Sequence, residues 1–262
     1  MLLSDRAADA VEQMDRDDCD PGRLERTYAQ FELVNRAVSG WQGIYRQHIK
    51  PLLTAGTPVS LLDVGCGGGD VAVRLARWAA RDRLPLRVTA VDPDPRAAAF
   101  AEARAAAFAE ARAAAGKVPG VSFRRQDTTG LLAAGERFDV VISNHVLHHL
   151  PDDHLPAFLS ESAALAGRLV LHNDLRRSAL AYGLFSGAAL PFRGSFIRAD
   201  GLTSIRRSYT AAELRAAAPP GWTVRPGFPF RNLLLLERPA GGVPPGTGQG
   251  AADESATPGR RP

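Results

Sequence analysis

The chain is poor in cysteine and has no long apolar run. Its two cysteines, Cys19 and Cys66, are too few for a disulfide framework. No apolar stretch reaches the length of a membrane span, and the N-terminus lacks a signal-peptide pattern. The formal net charge of +4 is carried almost wholly by arginine, with no dense basic block that would bind nucleic acid. We therefore expect a cytoplasmic protein without a membrane or nucleic-acid partner.

Strand-like and helix-like segments alternate from residue 59 onward, which indicates a parallel sheet with helical crossovers. The pattern predicts strands near 59–64, 86–92, 121–125, 138–143 and 168–173, and helices near 70–82, 95–115, 152–165, 176–190 and 210–217. Two further segments, 222–228 and 230–237, have the pattern of a closing antiparallel pair. The predicted fold class is α/β, with a Rossmann-like, doubly wound and mostly parallel seven-stranded sheet.

Three regions accompany this predicted core, which spans residues 54–238. Helical spacing over 22–53 makes residues 1–53 a helical N-terminal cap, and residues 176–209 form an insertion placed to act as a lid. Residues 239–262 are rich in proline and glycine and are expected to be a disordered tail. The octad AFAEARAA occurs twice over residues 99–114, and we interpret it as a lengthened outer helix, with a partner-binding extension as the alternative.

The most informative segment joins the first predicted strand to the helix after it. It reads Leu61-Leu62-Asp63-Val64-Gly65-Cys66-Gly67-Gly68-Gly69-Asp70. Glycines in such a turn allow backbone N–H groups to approach a ligand closely. A dinucleotide-binding turn would have glycine or alanine in place of Asp70, whose carboxylate would repel a pyrophosphate. The turn therefore favours a cationic or zwitterionic ligand, and S-adenosylmethionine (SAM) fits that description.

Three motifs carry a family resemblance. Asp63-Val-Gly-Cys-Gly-Gly-Gly69 resembles motif I of the class I SAM-dependent methyltransferases, and Asp92 ends the next strand as the ribose-binding acid of that family does. Asn144-His-Val-Leu-His-His-Leu-Pro-Asp152 resembles the segment after strand four in ubiquinone/menaquinone-type methylases. The resemblance implies SAM as the cofactor. The cofactor contacts that it implies are Asp63, Gly65, Cys66, Gly67, Asp92, Pro93, Asp127, Thr128, Asn144 and His145.

The fifth predicted strand ends in three polar residues that would open toward a substrate, His172, Asn173 and Asp174. His172 is the first candidate for a general base, because an imidazole can take a phenol proton as the methyl group arrives, and Asp174 could orient that base. A polar turn that caps the next helix is the alternative reading. His145 is the second candidate base, because it would flank the transferring methyl group.

The predicted lid mixes aromatic and arginine side chains, which suits a planar, partly anionic acceptor, although ordinary solvated arginines give the same pattern. The expected substrate contacts are His149, Asn173, Tyr182, Arg193 and Arg207.

The histidines after strand four, His145, His148 and His149, raise the question of a metal. A zinc site needs further ligands, and a catechol-type Mg²⁺ site needs a carboxylate where Asn144 stands. The sequence therefore predicts no metal site. Packing against the cofactor is the favoured role of the histidines, with a substrate-side base and a metal as the open alternatives.

These motifs predict methyl transfer from SAM to a small organic acceptor, the hydroxyl of a phenolic or quinol-like natural-product intermediate. Segments 12–15, 34–36 and 205–213 resemble methylases found beside polyketide synthases, which implies a polyketide acceptor. Two alternatives stay open: a nucleic-acid or protein methyltransferase, slightly favoured by the basic composition, and an NAD-dependent oxidoreductase or a non-catalytic ligand-binding module. A monomer or a homodimer is expected.

Overall fold

A seven-stranded sheet forms the centre of the computed structural model, which describes residues 3–113 and 120–238. The strands are β1 (Val59–Val64), β2 (Leu86–Asp92), β3 (Val121–Arg125), β4 (Phe138–Asn144), β5 (Ala166–Leu175), β6 (Thr223–Gly227) and β7 (Arg231–Glu237). Their order in the sheet is β3-β2-β1-β4-β5-β7-β6. Strands β1 to β5 pair in parallel, while β7 runs antiparallel to both β5 and β6. The predicted fold class is confirmed.

Helices cover both faces of the sheet. They are α1 (Pro21–Val38), α2 (Trp41–Ile44), α3 (Asp70–Arg81), α4 (Pro95–Ala113), α5 (Thr128–Ala133), α6 (Leu155–Leu165), α7 (Ala179–Ala188), α8 (Ile197–Arg207) and α9 (Ala211–Ala217). A π turn over Tyr45–Ile49 and a 3-10 turn over Lys50–Leu52 continue α2, and further 3-10 turns span Gln13–Asp15 and Leu147–His149. Among the described helices, none is both long and apolar enough to cross a membrane.

Two hydrophobic clusters hold the layers together, one on each face of the sheet. Neighbouring residues of β1 point to opposite faces: Leu61 packs into the cluster that contains α3, and Leu62 into the cluster that contains α6. Both side chains are fully buried, as expected for a parallel strand that is covered on both sides. Strands β2 and β4 flank β1, so the strand order reverses at β1, and ligands of such sheets bind where it reverses.

The predicted strands agree with the observed ones to within two residues at each end, but two helices were not predicted. Helix α5 has only six residues and begins where Asp127 accepts a hydrogen bond from the backbone N–H of Gly130. Helix α8 lies inside the predicted lid, where its mixed polar sequence hid the helical period. The second copy of the octad lies within α4 as far as Ala113, and the predicted tail, 239–262, lies outside the described residues.

Residues 3–20, called here the N-terminal strap, cross the carboxyl ends of the parallel strands instead of projecting from the molecule. The backbone N–H of Gln13 donates to the carboxylate of Asp200 on α8 at 2.8 Å. The guanidinium of Arg6 donates to the carbonyl of Leu150 at 2.8 Å. The strap is thereby fixed to α8 and to the turn after β4, and it forms part of the wall of the cavity described next.

Candidate functional site

A cavity of about 720 Å³ lies at the carboxyl ends of β1, β2 and β4. The glycine turn after β1 and the turns after β2, β3 and β4 form its floor. Helices α1, α7 and α8, together with the N-terminal strap, form the opposite wall. Helices α7 and α8 both lie within residues 176–209, the segment predicted to act as a lid.

The glycine turn adopts a backbone that other residues rarely reach. Gly65, Gly67 and Gly69 have φ angles of +66°, +51° and +71°. A Cβ atom on Gly65 would lie 2.6 Å from Val146 and one on Gly69 would lie 2.4 Å from Phe123, whereas one on Gly67 would meet nothing within 4 Å. Gly67 lines the cavity, so the space beside it belongs to the cavity. The turn keeps the cavity open next to the backbone.

Asp63 presents a buried carboxylate to the cavity. The residue is 1% exposed, and neither carboxylate oxygen has a hydrogen-bond partner among the described residues. Burial raises the pKa of Asp63 well above its usual range, and the negative charges of Asp70 and Asp92 raise it further. A buried carboxylate without a partner is costly, so this position fits a ligand that brings a positive charge or N–H donors.

Asp92 is held at the end of β2 by two backbone donors. Its Oδ2 accepts the N–H of Gly67 and its Oδ1 accepts the N–H of Asp94, both at 2.9 Å. Each carboxylate oxygen has a second lone pair, and Asp92 lines the cavity. This carboxylate can therefore accept hydroxyl groups of a ligand without moving.

The remaining predicted cofactor contacts also line the cavity, and several have a local structural partner as well. The Oδ1 atom of Asn144 accepts from Trp41 Nε1 at 2.9 Å and from Asn173 Nδ2 at 2.8 Å. Asp127 caps α5, and the Thr128 hydroxyl donates to Glu161. The ten predicted contacts that line one cavity are Asp63, Gly65, Cys66, Gly67, Asp92, Pro93, Asp127, Thr128, Asn144 and His145.

His145 is the predicted base that the structure places in the cavity. Its φ angle is +60°, and its Nε2 is buried without a hydrogen-bond partner among the described residues. Burial lowers the pKa of His145 to about 4, so the imidazole is uncharged at neutral pH. An uncharged ring whose proton is on Nδ1 offers Nε2 as a proton acceptor.

His172, the first candidate base, does not line the cavity. Its Nδ1 lies 2.7 Å from the Ser143 hydroxyl, and its ring packs between Phe158 and Trp222 with centroid distances of 5.1 and 5.7 Å. The ring is fully buried, and burial lowers the pKa of His172 to about 3. The reason is the alternation of side chains along β5, which turns His172 toward α6 and away from the strand ends.

Asp174 and Asn173 also serve partners other than a ligand. Asp174 accepts the backbone N–H of His148 at 2.8 Å, and its other oxygen lies 2.7 Å from His148 Nδ1. Asn173 donates to Ser39 and accepts from Arg231 at 2.9 Å. Neither side chain lines the cavity. Asp174 can influence the cavity only by orienting His148, which does line it.

The predicted arginine contacts are not part of the cavity wall. Arg193 is exposed, and Tyr182 does not line the cavity. Arg207 is buried and donates to the backbone carbonyls of His148 and His149 at 3.1 and 3.0 Å. The expectation of an arginine-lined pocket for an anionic acceptor is therefore corrected: Arg207 fixes the turn that carries the histidines, and of the predicted substrate contacts only His149 lines the cavity.

The cavity wall is rich in acidic side chains instead. Among the described residues that line the cavity, Arg176 is the one arginine or lysine. The acidic residues that line the cavity are Glu12, Asp15, Asp63, Asp70, Asp92, Asp94, Asp127 and Asp200. Such a wall repels phosphate and carboxylate groups and attracts cations.

Sequence reasoning missed the lining residues of the strap and of α8. Glu12 and Asp15 come from the strap, and Asp200 and Ser204 come from α8. Glu12 accepts from the Ser204 hydroxyl at 2.7 Å, so the two segments meet at the cavity. The available signal was the charged segment over residues 12–20, which is unusual before a helix that begins at Pro21.

Comparison with known proteins agrees with this geometry. A family model described as a methyltransferase domain matches residues 61–166. The ubiquinone biosynthesis O-methyltransferase of Methylobacterium nodulans is 38% identical over 128 residues, which cover 48% of this chain and 45% of that protein. That of Brucella melitensis biotype 2 is 33% identical over 125 residues, 47% of this chain and 44% of that protein. The chain thus spans about half the length of the curated relatives it matches.

Solved structures show the same fold at low sequence identity. An O-methyltransferase family protein from Burkholderia thailandensis aligns with a TM-score of 0.57 and 15% identity, covering 88% of this chain and 63% of that chain. Human N-acetylserotonin methyltransferase, solved in complex with SAM, aligns with a TM-score of 0.56 and 14% identity, covering 84% of this chain and 56% of that chain. Both are likenesses of the fold.

Proposed function

We propose that the chain is a class I SAM-dependent methyltransferase of the ubiquinone-methylase type, and that it transfers a methyl group from SAM to the hydroxyl of a small, uncharged organic molecule. The observation that carries this proposal is the unpartnered, buried carboxylate of Asp63 beside the fixed carboxylate of Asp92. SAM has a sulfonium and an ammonium group for the first and ribose hydroxyls for the second. The residues present therefore fit the cofactor of the family.

The cofactor end of the cavity would use groups that are already fixed. Asp63 would accept from the ammonium group, and Asp92 would accept the ribose hydroxyls. Asp127, at the start of α5, would lie beside the adenine. When bound, SAM supplies a methyl group already activated by its sulfonium, so the protein needs to add alignment, exclusion of water and a proton acceptor.

The acceptor end of the cavity is mainly apolar. Phe31 and Val34 of α1 face it together with Phe185 of α7 and Ile205 of α8. Walls of this kind hold an aromatic ring and keep water from the reacting atoms. His145 would accept the hydroxyl proton of the acceptor at Nε2, because that atom is buried in the cavity and unpartnered among the described residues. These features favour a phenolic or quinol-like natural product, polyketide-derived molecules included.

The alternative of a nucleic-acid methyltransferase finds no support in the cavity. A nucleic acid would bring phosphates toward the acidic wall, where Arg176 is the one arginine or lysine among the described lining residues.

Transfer of a labelled methyl group tests the proposal directly. The full chain is incubated with methyl-labelled SAM and one of three acceptors: a neutral hydroquinone, the same ring carrying a carboxylate, or a mixed tRNA sample. We expect label in the neutral ring and at least about tenfold less in the carboxylated ring, a difference of about 1.4 kcal/mol. Preferential labelling of the tRNA or of the carboxylated ring would contradict the proposed acceptor class.

A further inference from the structure

Two neighbouring histidines, His148 and His149, converge in the cavity wall with Glu12, which lies far from them in the sequence. The Nε2 atoms of His148 and His149 lie 3.5 and 3.8 Å from the same atom, Oε1 of Glu12. The ligand atoms of all three residues lie within 4.8 Å of one another. Four-coordinate zinc with bonds of about 2.0–2.1 Å holds neighbouring ligand atoms about 3.4 Å apart. The two separations from Glu12, 3.5 and 3.8 Å, are thus close to those around a common ion.

Each histidine has a second carboxylate on its other ring nitrogen. His148 Nδ1 lies 2.7 Å from Asp174 Oδ1, and His149 Nδ1 lies 3.2 Å from Asp15 Oδ2. These contacts hold each Nδ1 against a carboxylate and turn each Nε2 toward Glu12. Carboxylates on the outer nitrogen of metal-binding histidines orient the ring and raise its basicity.

Burial makes the inner face of this cluster costly without an occupant. Glu12 is 3% exposed and His148 is 1% exposed, and His148 Nε2 has no hydrogen bond among the described residues. The 3.5 Å separation between His148 Nε2 and Glu12 Oε1 is an ion-pair distance. A cation bound to this buried imidazole nitrogen, next to the acidic wall of the cavity, would give the nitrogen a partner.

The three residues are also held in place by their surroundings. Arg207 donates to the backbone carbonyls of His148 and His149 and comes within 4.0 Å of Asp15. Ser204 donates to Glu12 Oε1 at 2.7 Å. The ligand geometry is therefore built before an ion arrives, as it is in metal sites of high affinity.

We propose that Glu12, His148 and His149 form a binding site for a divalent transition metal of the zinc type. Two imidazoles and one carboxylate are a ligand set that zinc accepts, with a fourth position left open for water or substrate. All three residues line the cavity, so the open position faces it. The sequence alone predicted no metal because the histidines lacked a third ligand, which the strap supplies.

An ion in this place would also define the acceptor site more closely. Its open position would take the hydroxyl oxygen of the acceptor, and this part of the inference rests on the proposed function. The competing occupant is a proton on His148: burial lowers the pKa of His148, but Asp174 and Glu12 raise it to about 9. Ion and proton compete for the same nitrogen.

Binding of the metal alone, in the absence of SAM and acceptor, tests the site independently of activity. The full chain without an affinity tag is dialysed against a chelator and titrated with Co²⁺ and with Zn²⁺. We expect one ion per chain and the visible absorption of a four-coordinate Co²⁺ centre. Asp15→Asn, which alters only an orienting carboxylate, should weaken binding about 10–100-fold, and Glu12→Gln and His149→Gln should weaken it further. The matched control is His154→Gln, because His154 is an exposed histidine outside the cluster.

The outcomes separate cleanly. Loss of the Co²⁺ spectrum in Glu12→Gln and His149→Gln, but not in His154→Gln, supports the site. Parent protein that binds no stoichiometric ion, or variants that bind as the parent does, overturn it and leave a protonated ion-pair cluster. If metal binds at the cluster but no acceptor is methylated, the metal site stands and the proposed function fails.

Discussion

Oδ2 of Asp92 accepts the backbone N–H of Gly67 at 2.9 Å, so the end of β2 and the glycine turn after β1 are fixed to each other. One hydrogen bond thereby sets the separation between the carboxylate and the backbone that together would hold the cofactor. The other carboxylate oxygen is fixed by the N–H of Asp94. The floor of the cavity is consequently formed without any help from a ligand.

Gly67→Ala should lower SAM affinity more than it lowers stability. The new methyl group meets no protein atom within 4 Å and so projects into the cavity, where we expect at least about a tenfold loss of affinity. The positive φ adds about 1–2 kcal/mol of strain. Gly135→Ala is the matched control, because its φ of +71° and open surroundings reproduce the strain away from the cavity. Isothermal titration with SAM measures the affinity, and urea unfolding measures the stability. Equal SAM affinities in Gly67→Ala and Gly135→Ala would show that SAM does not bind beside Gly67.

His145→Ala should lower turnover at saturating SAM by about 10²–10⁴, the usual weight of general-base catalysis. The reason is that Nε2 of His145 is buried in the cavity and free to accept a proton. Single-turnover rates with labelled SAM and a neutral phenol give the measurement. If the variant keeps its activity on the phenol, alignment alone accounts for the reaction and the acceptor ionises before it reacts.

His172→Ala should act on stability instead. Removal of the ring leaves the Ser143 hydroxyl without its partner at 2.7 Å and opens space between Phe158 and Trp222. A loss of about 1–3 kcal/mol in the free energy of unfolding is expected from the orphaned polar group. Turnover per folded molecule should match that of the parent. A variant of parental stability that has lost its activity would restore His172 as the base.

For residues 168–174, the sequence predicts the position of the strand but not which of its polar side chains enters the cavity. The strand itself is clear from its apolar run, and its end is close to the cavity as predicted. Which polar residue enters the cavity depends on the side to which each one points, and His172 points into the packing against α6. Side chains alternate strictly along β5, so Leu171 on one face of the sheet places His172 on the other face.

The contribution of the strap could not be predicted, for a different reason. Glu12 and His148 are in contact although they lie far apart in the sequence, and the periodicity of a single segment says nothing about such contacts. The strap is also charged, so it has no apolar face that would indicate where it packs. By contrast, the glycine turn and Asp92 form a local strand-turn-helix unit, whose geometry follows from the residues themselves. The geometry of the glycine turn and Asp92 was therefore predictable, and the contact between the strap and the histidines was not.

The pH dependence of stability should show the titration of Asp200. Burial raises the pKa of Asp200 to about 6, against 3.8 for an exposed carboxyl, although the N–H groups of Gln13 and Met14 oppose the shift. A raised pKa favours the protonated folded state, so stability is greatest below the unfolded pKa and falls as pH rises through 6. The loss is on the order of 3 kcal/mol at most.

Asp200→Asn should remove this dependence. Urea unfolding from pH 4 to pH 7.5 gives the free energies of parent and variant, and their difference should change between about pH 4 and pH 6.5 and be constant above it. A difference that does not vary with pH would show that Asp200 ionises as easily in the folded protein as in the unfolded chain.

The affinity of the parent protein and of Asp92→Ala for SAM tests the central claim most directly. We expect the parent protein to bind one SAM and not to bind NADH. The folded Asp92→Ala variant should bind SAM about 1–3 kcal/mol more weakly, which is the cost of losing a charge-assisted hydrogen bond. Asp153→Ala, at an exposed loop position, should bind as the parent does. A folded Asp92→Ala variant with unchanged SAM affinity, or a parent protein that prefers NADH, would contradict the account.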